Sequence, residues 1–278
     1  MQRLLAWAKN HKVKTLFIAL GIFVLYELLT IPYISVAKLK TENPTETALM
    51  RQRLREAHRD GKTLKVMQRW VPLSRISKSL VDAVIVAEDG TFYSHGGVDW
   101  FEVRESIEKN IDQGRAARGA STITQQLAKN LFLSTSKDPI RKLKELIITL
   151  LLENQLEKNR ILEIYLNVIE WGRGVFGVEA AAQTYFGKPA SVVTLEEATR
   201  LAAVIPSPLR HHPNEESRYM QRRKLIVLHR MLGRNVIDRP QREETPSGSS
   251  DQHPSIVVTE DPVQVDSTDI EEDERNEP

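Results

Sequence analysis

The feature that most constrains this chain is an apolar stretch at residues 15–37, whose 23 residues include a single charge, Glu27. About 20 apolar residues suffice for a helix to cross a bilayer, so the stretch predicts a transmembrane anchor. A carboxylate near the middle of such a span costs about 2–3 kcal/mol, and nothing else in the stretch requires more than anchoring.

The basic residues around the stretch predict its orientation. Arg3, Lys9, Lys12 and Lys14 precede it, whereas only Lys38 and Lys40 follow closely. The positive-inside rule therefore predicts residues 1–14 in the cytoplasm and the rest of the chain outside the cytoplasmic (inner) membrane, on a single-pass anchor. Residues 35–37, Ser-Val-Ala, also fit a signal-peptide cleavage site, so a cleaved leader is the alternative, although the run exceeds the usual h-region of about 7–15 residues.

Charge and composition divide the remainder of the chain. Residues 38–69 are polar and predict a neck with an ambiguous helix near residues 46–58, and residues 70–236 predict a mainly helical domain without period-2 strands. Residues 237–278 carry 13 acidic and 3 basic residues and predict a disordered tail, which leaves 36 basic and 24 acidic residues before it. The absence of cysteine excludes disulfides, thiolate metal sites and a cysteine nucleophile.

The first helix of the domain, predicted at residues 77–87, ends in two acids. The helical spacing of Ile76, Leu80, Val84 and Ala87 predicts a buried stripe, and Glu88-Asp89-Gly90 follows it. The negative end of the helix dipole disfavours a carboxylate there and should raise its pKa, which suits a general base. A pair of solvated turn acids is the alternative, and His95 nearby is expected to be a structural hydrogen-bonding residue.

The second helix is predicted to begin after Ala120, with Ser121 or Thr122 as its cap and Gln125 completing a capping box. Its helical spacing would place hydroxyl, amide and ammonium groups on one face: Thr122, Gln125, Gln126 and Lys129. Such a face is usually merely solvated. It also carries the groups that sugar hydroxyls and phosphates require.

The third helix is predicted to open at Asp138 and Pro139. Arg141 and Lys142 lie in its first turn and Lys137 lies just outside, so cations surround a helix N-terminus that already favours anions. Glu145 one turn further in could form an intrahelical ion pair worth about 0.2–0.5 kcal/mol. The apolar run at residues 146–152 predicts that the helix is deeply buried and that Glu145 is not an idle surface charge.

Together these segments resemble the peptidoglycan glycosyltransferases of family 51, which polymerise lipid II, and among them the monofunctional branch. The resemblance covers about residues 70–233 and rests on EDGTFYSHGGVD at 88–99, GASTITQQLAKNLF at 119–132, RKLKE at 141–145, RILEIYLN at 160–167, and matches at 177–182, 185–186 and 201–206. Ala120 replaces the glycine of many members. Thr91 replaces a cation that many members carry. No Ser-x-Asn or Lys-Thr-Gly accompanies the Ser-x-x-Lys strings, so no transpeptidase activity is expected.

The resemblance implies a lysozyme-like fold with a small membrane-proximal lobe, and β-1,4 glycan polymerisation with inversion. It implies Glu88 as the general base and Glu145 as a second catalytic carboxylate that orients the cations or holds a metal or the pyrophosphate. The implied substrate-binding residues are Asp89, Ser121, Thr122, Gln125, Gln126, Lys129, Asn130, Lys137, Arg141 and Lys142.

The resemblance also implies a set of partners. These are lipid II, the growing lipid-linked glycan chain, the membrane and other wall-synthesis or division proteins, with Mg²⁺ or another divalent cation as a candidate cofactor and no organic one. A domain outside the membrane meets no nucleic acid. Two alternatives stay open: a lytic, lysozyme-like transglycosylase or hydrolase, which has no use for a cation cluster, and an inactive membrane-anchored scaffold, which would not need intact acidic and basic positions.

Overall fold

The computed structural model describes residues 11–113, 121–136 and 138–234. Several sequence predictions fall outside the described residues. They concern residues 1–10, the loop at 114–120, Lys137 and the tail at 237–278. The described helices are α1 (Lys12–Leu29), α2 (Tyr33–Lys38), α3 (Ala48–Arg59), α4 (Lys78–Glu88), α5 (Trp100–Gln113), α6 (Ile123–Phe132), α7 (Pro139–Gln155), α8 (Lys158–Val168), α9 (Val178–Phe186), α10 (Leu195–Val204) and α11 (Arg218–Arg234).

Three very short strands accompany the helices: β1 (Met67–Gln68), β2 (Glu170–Gly172) and β3 (Val175–Phe176). β3 lies in the middle, parallel to β1 and antiparallel to β2. Strands of two or three residues are too short to show an alternating pattern, which explains why the sequence predicted none. The mainly helical class predicted from the sequence is confirmed.

The apolar N-terminal stretch divides into two parts. Lys12–Lys38 is long and apolar enough to cross a membrane, but the helix breaks at residues 30–32. α1 has no buried residue, whereas Ile31, Val36 and Leu39 join the main core. The second part of the predicted span therefore packs on the globular domain, whereas α1 lies almost wholly outside it and touches it near Glu27.

Residues 38–69, predicted as a neck, also contribute to the globular part. Thr47 caps α3 through its hydroxyl, which accepts a hydrogen bond from the Met50 amide, and Leu49 and Met50 pack on Phe176. Arg53 reaches across to Glu170 in a bidentate pair at 2.7–3.0 Å. Because this ion pair is largely buried, α3 is held firmly against the domain.

The main core lies between two groups of helices. α4 packs on α10 and α11, while α6 packs on α3, α7 and α8. Trp171, Tyr165 and Phe92 are fully buried among them. This packing brings the C-terminus of α4 close to α6 and α8, as the side-chain contacts of Glu88 described below show.

Candidate active site

Glu88 is the last residue of α4. Ser77 caps the helix, and the predicted stripe is buried except for Ala87, which is half-buried. Asp89 leaves helical geometry at φ −162° and Gly90 follows on the surface, so the helix ends where the sequence predicted. The Glu88 side chain is partly exposed and therefore remains accessible to a ligand.

The Glu88 carboxylate is held by a chain of two side chains. Its Oε2 accepts a hydrogen bond from Gln126 Nε2 at 2.7 Å, and Gln126 Oε1 accepts one from the Tyr165 hydroxyl at 2.9 Å. An ionised carboxylate can only accept, so Glu88 takes the N–H of the Gln126 amide and leaves the amide oxygen to accept from Tyr165. Gln126 thus contacts the candidate base directly.

Burial raises the pKa of Glu88. The hydrogen bond from Gln126 and the charges of Arg223 and Lys129 oppose the rise, while Asp89 adds to it. Burial also raises the pKa of Tyr165 well above its ordinary value, which keeps the phenol protonated as a donor. A carboxyl with a raised pKa is a better proton acceptor when ionised, as general base catalysis requires.

Asp89 has a different role from its neighbour. Its Oδ1 accepts a hydrogen bond from His95 Nε2 at 2.8 Å, and its Oδ2 accepts one from the Ile123 amide at 2.9 Å. His95 Nδ1 in turn accepts from the Gly97 amide, so the imidazole is the neutral Nε2–H tautomer. Asp89 is buried: one oxygen braces its own loop through His95 and the other ties the loop to the start of α6, while its role in substrate binding stays a prediction.

The capping box of α6 is confirmed, and its residues are enclosed. Thr122 caps the helix and Gln125 closes the box, while the Thr122 hydroxyl also donates to the Gly97 carbonyl at 2.7 Å. Both side chains are buried and serve the cap, and their roles in substrate binding stay predictions. Gln126 and Lys129 are the members of the predicted polar face that stay partly exposed.

The N-terminus of α7 carries the predicted cation cluster. Asp138 caps the helix, with Pro139 as its first residue. Arg141 and Lys142 each contact a different oxygen of Glu145, both at 2.5 Å. Glu145 is buried, so the predicted intrahelical pairing is present and holds the two cations at the helix mouth.

The expectation that α7 is deeply buried is only partly right. Ile148, Thr149 and Leu152 are buried, but Ile140, Leu143 and Leu150 on another side are exposed. A helix with apolar residues on all faces can bury only those that meet the core. The exposed apolar side of α7 is a surface that the sequence analysis did not foresee.

Lys129 lies near both Glu88 and the charged residues at the N-terminus of α7. Burial lowers the pKa of Lys129, and the nearby positive charges of Arg141 and Lys142 lower it further, against the opposing effects of Glu145 and Glu88. Lys129 therefore lies within electrostatic reach of the candidate base and of the α7 cluster together. Its position between them suits an anionic group placed beside Glu88.

The remaining predicted residues are less informative. Ser121 is exposed just before α6, and Asn130 is buried on it. Lys137 lies outside the described residues.

Arg223 on α11 is a residue that the sequence analysis missed. Its charge lowers the pKa of Glu88, so its guanidinium lies close enough to affect the base. Its Nε is buried and has no hydrogen-bond partner within the described part of the chain. The sequence shows a basic run at residues 222–224, but such a run equally indicates a solvated helix face, and only the packing of α11 on α4 distinguishes the two.

The described residues do not form a ready-made metal site. Within residues 11–113, 121–136 and 138–234, no three His, Asp or Glu side chains come together to hold an ion. Both oxygens of Glu145 already bind cations, and both oxygens of Asp89 accept hydrogen bonds. A divalent cation resident on these carboxylates does not fit this arrangement.

Comparison with known proteins identifies the family of this chain. The family model described as transglycosylase matches residues 57–232, well over half of the chain. The chain belongs to the transglycosylase family. The match begins inside α3, and the lysozyme-like helical fold expected from the sequence is that of this family.

Curated relatives agree with this assignment. A "Biosynthetic peptidoglycan transglycosylase" of Nitrosospira multiformis is 46% identical over 194 residues, which cover 70% of this chain and 84% of the relative. Proteins of the same name from Methylobacillus flagellatus and Chromobacterium violaceum are 45% and 41% identical, over 78% of this chain and 93% and 95% of their own lengths. The chain therefore aligns with nearly the whole length of these two relatives.

Proposed function

We propose that this transglycosylase polymerises the glycan chains of peptidoglycan. The donor is a glycan linked to undecaprenyl pyrophosphate, and the acceptor is the sugar 4-hydroxyl of lipid II. The family assignment and the relatives' names support glycan polymerisation. The observation that carries the chemistry is a partly exposed carboxyl with a raised pKa, Glu88, near Lys129, which in turn lies near the α7 cations Arg141 and Lys142.

The proposed step is one displacement at the donor's anomeric carbon. The acceptor 4-hydroxyl oxygen forms the new bond to that carbon, and the bond from the carbon to the pyrophosphate oxygen breaks. The pyrophosphate leaves with the electron pair, and the hydroxyl proton passes to the Glu88 carboxylate. Attack opposite the leaving group inverts the configuration and gives a β-1,4 linkage.

The cations stabilise the departing charge in this proposal. Pyrophosphate is a good leaving group, so the site requires positive charge more than it requires an acid. Lys129, Arg141 and Lys142 supply it, and Arg223 adds a fourth positive charge near the base. Glu145 acts as a positioning residue, since each of its oxygens holds one of the α7 cations.

The proposed location follows from α1. We infer that α1 spans the cytoplasmic membrane with its N-terminus in the cytoplasm, and that the domain faces the outside, where lipid-linked substrates are presented. The apolar, unburied surface of α1 supports this arrangement. No step of the proposal passes through a metal, and Mg²⁺ enters only as a component of the assay.

The test supplies the full-length protein with two substrates in detergent. Labelled lipid II, with Mg²⁺ or with EDTA, should give long products that muramidase digests. Purified glycan strands should stay intact. Cleavage of the strands without growth from lipid II would identify a lytic enzyme instead and overturn the proposal.

A further inference from the structure

An ion pair joins the membrane-anchor helix to the cation-bearing helix. Glu27, near the end of α1, contacts Lys144 on α7, and both side chains are largely buried. Lys144 Nζ also donates to the Thr30 hydroxyl at 2.8 Å, and that hydroxyl donates to the Glu27 carbonyl at 2.7 Å. One lysine therefore binds two groups at the point where α1 ends.

The surroundings make this contact a fixed joint. The chain beyond α1 turns at residues 30–32 and enters the core through Ile31, Val36 and Leu39. α2 packs directly on α7. The end of the anchor is therefore attached to α7 by an ion pair on one side and by apolar packing on the other.

The position of the pair along α1 places it in the outer part of the bilayer core. With a rise of about 1.5 Å per residue, Glu27 lies about 20 Å along the helix from Lys14, most of the way across the bilayer core. Beside Lys144, α7 exposes Ile140, Leu143 and Leu150 to the same side of the helix. A carboxylate and an ammonium at this depth are each costly alone and are stabilised as a pair.

We propose that Glu27 is a positioning residue that acts through Lys144. The ion pair holds α7 on the anchor so that its exposed apolar side rests in the outer face of the bilayer. Lys144 directly precedes Glu145, so this joint sets the height above the membrane of the turn that carries Arg141 and Lys142. In the proposed function, on which this inference rests, that turn meets the pyrophosphate of a membrane-bound substrate.

The first test measures the position of α7 without using activity. The chain has no cysteine, so Leu143→Cys provides a single labelling site for an environment-sensitive dye in vesicles of phosphatidylglycerol and phosphatidylethanolamine. Quenching by lipids spin-labelled near the headgroup should be strong at this position and should fall at least twofold when Glu27→Gln is added. A label at Val192→Cys, exposed on a different element, is the control and should show little quenching in either background.

The second test separates positioning from simple stability. Glu27→Gln and Lys144→Gln should each raise the KM for lipid II in vesicles about fivefold, with kcat changed less than about twofold. The exchange Glu27→Lys with Lys144→Glu should restore most of the KM. The exposed pair Glu46 and Arg51, changed to Gln together, is the matched control and should leave both constants unchanged.

The possible outcomes discriminate between the two proposals. Unchanged quenching at residue 143 in the Glu27→Gln background would overturn the positioning role. An exchange variant no better than the single variants would also overturn it. If the wild type forms no polymer at all, the proposed function fails, while the quenching experiment still decides whether the joint holds α7 at the membrane.

Discussion

At the scale of single residues, the site depends on how Glu88 is held. Gln126 lies between the Glu88 carboxylate and the Tyr165 hydroxyl. Tyr165→Phe leaves the Gln126 amide oxygen without its donor, so the amide is held less firmly against Glu88. We expect a fall in kcat of about tenfold, with KM nearly unchanged.

The same variant has a measurable signature beyond rate. A weaker hydrogen bond from Gln126 lowers the pKa of Glu88 less, so the acid limb of the pH profile should move to higher pH. Tyr93→Phe, which removes a hydroxyl bonded to exposed Asn159, is the matched control. A normal pH profile in Tyr165→Phe would contradict the proposed chain of contacts.

The pH dependence of polymerisation should be bell-shaped. Glu88 must be ionised to accept a proton, and burial raises its pKa, so activity should rise with pH through a midpoint above that of an ordinary glutamate. Lys129 must be charged, and burial lowers its pKa, so activity should fall at a pH below that of an ordinary lysine.

Lys129→Arg tests the assignment of the alkaline limb. Arginine stays protonated, so the fall at high pH should move upward or disappear while the acid limb stays in place. Initial rates of lipid II polymerisation across the pH range measure this. An alkaline limb that does not move would assign it to another group.

At the scale of elements, the sequence predicted those helices whose ends are set by local chemistry. Thr122 and Asp138 cap the second and third predicted helices as expected, because a capping side chain bonds only to residues nearby in the chain, and Ser77 caps the first helix in the same way. The short strands, the partner of Glu27 and the approach of Arg223 to Glu88 depend on contacts far along the chain. No local pattern encodes those contacts.

The same distinction explains why two residues of the predicted polar face are buried. A helical wheel places Thr122 and Gln125 beside Gln126 and Lys129, and it shows one polar face. It does not show that the loop with Asp89 and Gly97 covers the first turn of that face. The burial of Thr122 and Gln125 is therefore visible only in the tertiary structure.

The turn between β3 and α9 gives a prediction about an element. Gly177 has φ +80°, and an added Cβ would lie 2.6 Å from the Asn167 carbonyl oxygen. Gly177→Ala should therefore lower the free energy of unfolding by about 3 kcal/mol, since both strain and a backbone clash oppose it. Denaturant unfolding of the detergent-solubilised protein measures this.

Gly187 provides the matched control for strain alone. It has φ +66°, but nothing lies within 4 Å of an added Cβ. Gly187→Ala should cost only about 1 kcal/mol. Equal losses for the two variants would show that the contact with Asn167 contributes nothing.

At the scale of the whole molecule, the catalytic domain and the anchor form one connected unit. The core includes Ile31, Val36 and Leu39 from the end of the predicted span, and α3 joins the domain through Arg53 and Glu170. The sequence predicted a separate neck because its polar composition is typical of a linker. In the structure, Leu39, Leu49 and Met50 of this region are buried and Arg53 pairs with Glu170 of the domain.

The acidic segment at residues 237–278 gives a prediction at the same scale. Its composition is poor in large apolar residues, so it adds little to any core. Deleting it should leave polymerisation in detergent within about twofold of wild type and the thermal midpoint unchanged within about 2 °C. A lower midpoint after deletion would show that this segment packs on the domain.

The most direct test of the central claim is the polymerisation rate of Glu88→Gln, measured with labelled lipid II beside wild type and Asp82→Asn on the same helix. We expect Glu88→Gln to lose at least about 100-fold in rate, since only the proton acceptor is removed. It should keep its thermal midpoint, or raise it at neutral pH, because burial disfavours the ionised carboxyl. Asp82→Asn should polymerise normally. A folded Glu88→Gln protein that makes muramidase-sensitive polymer at nearly the wild-type rate would contradict the account.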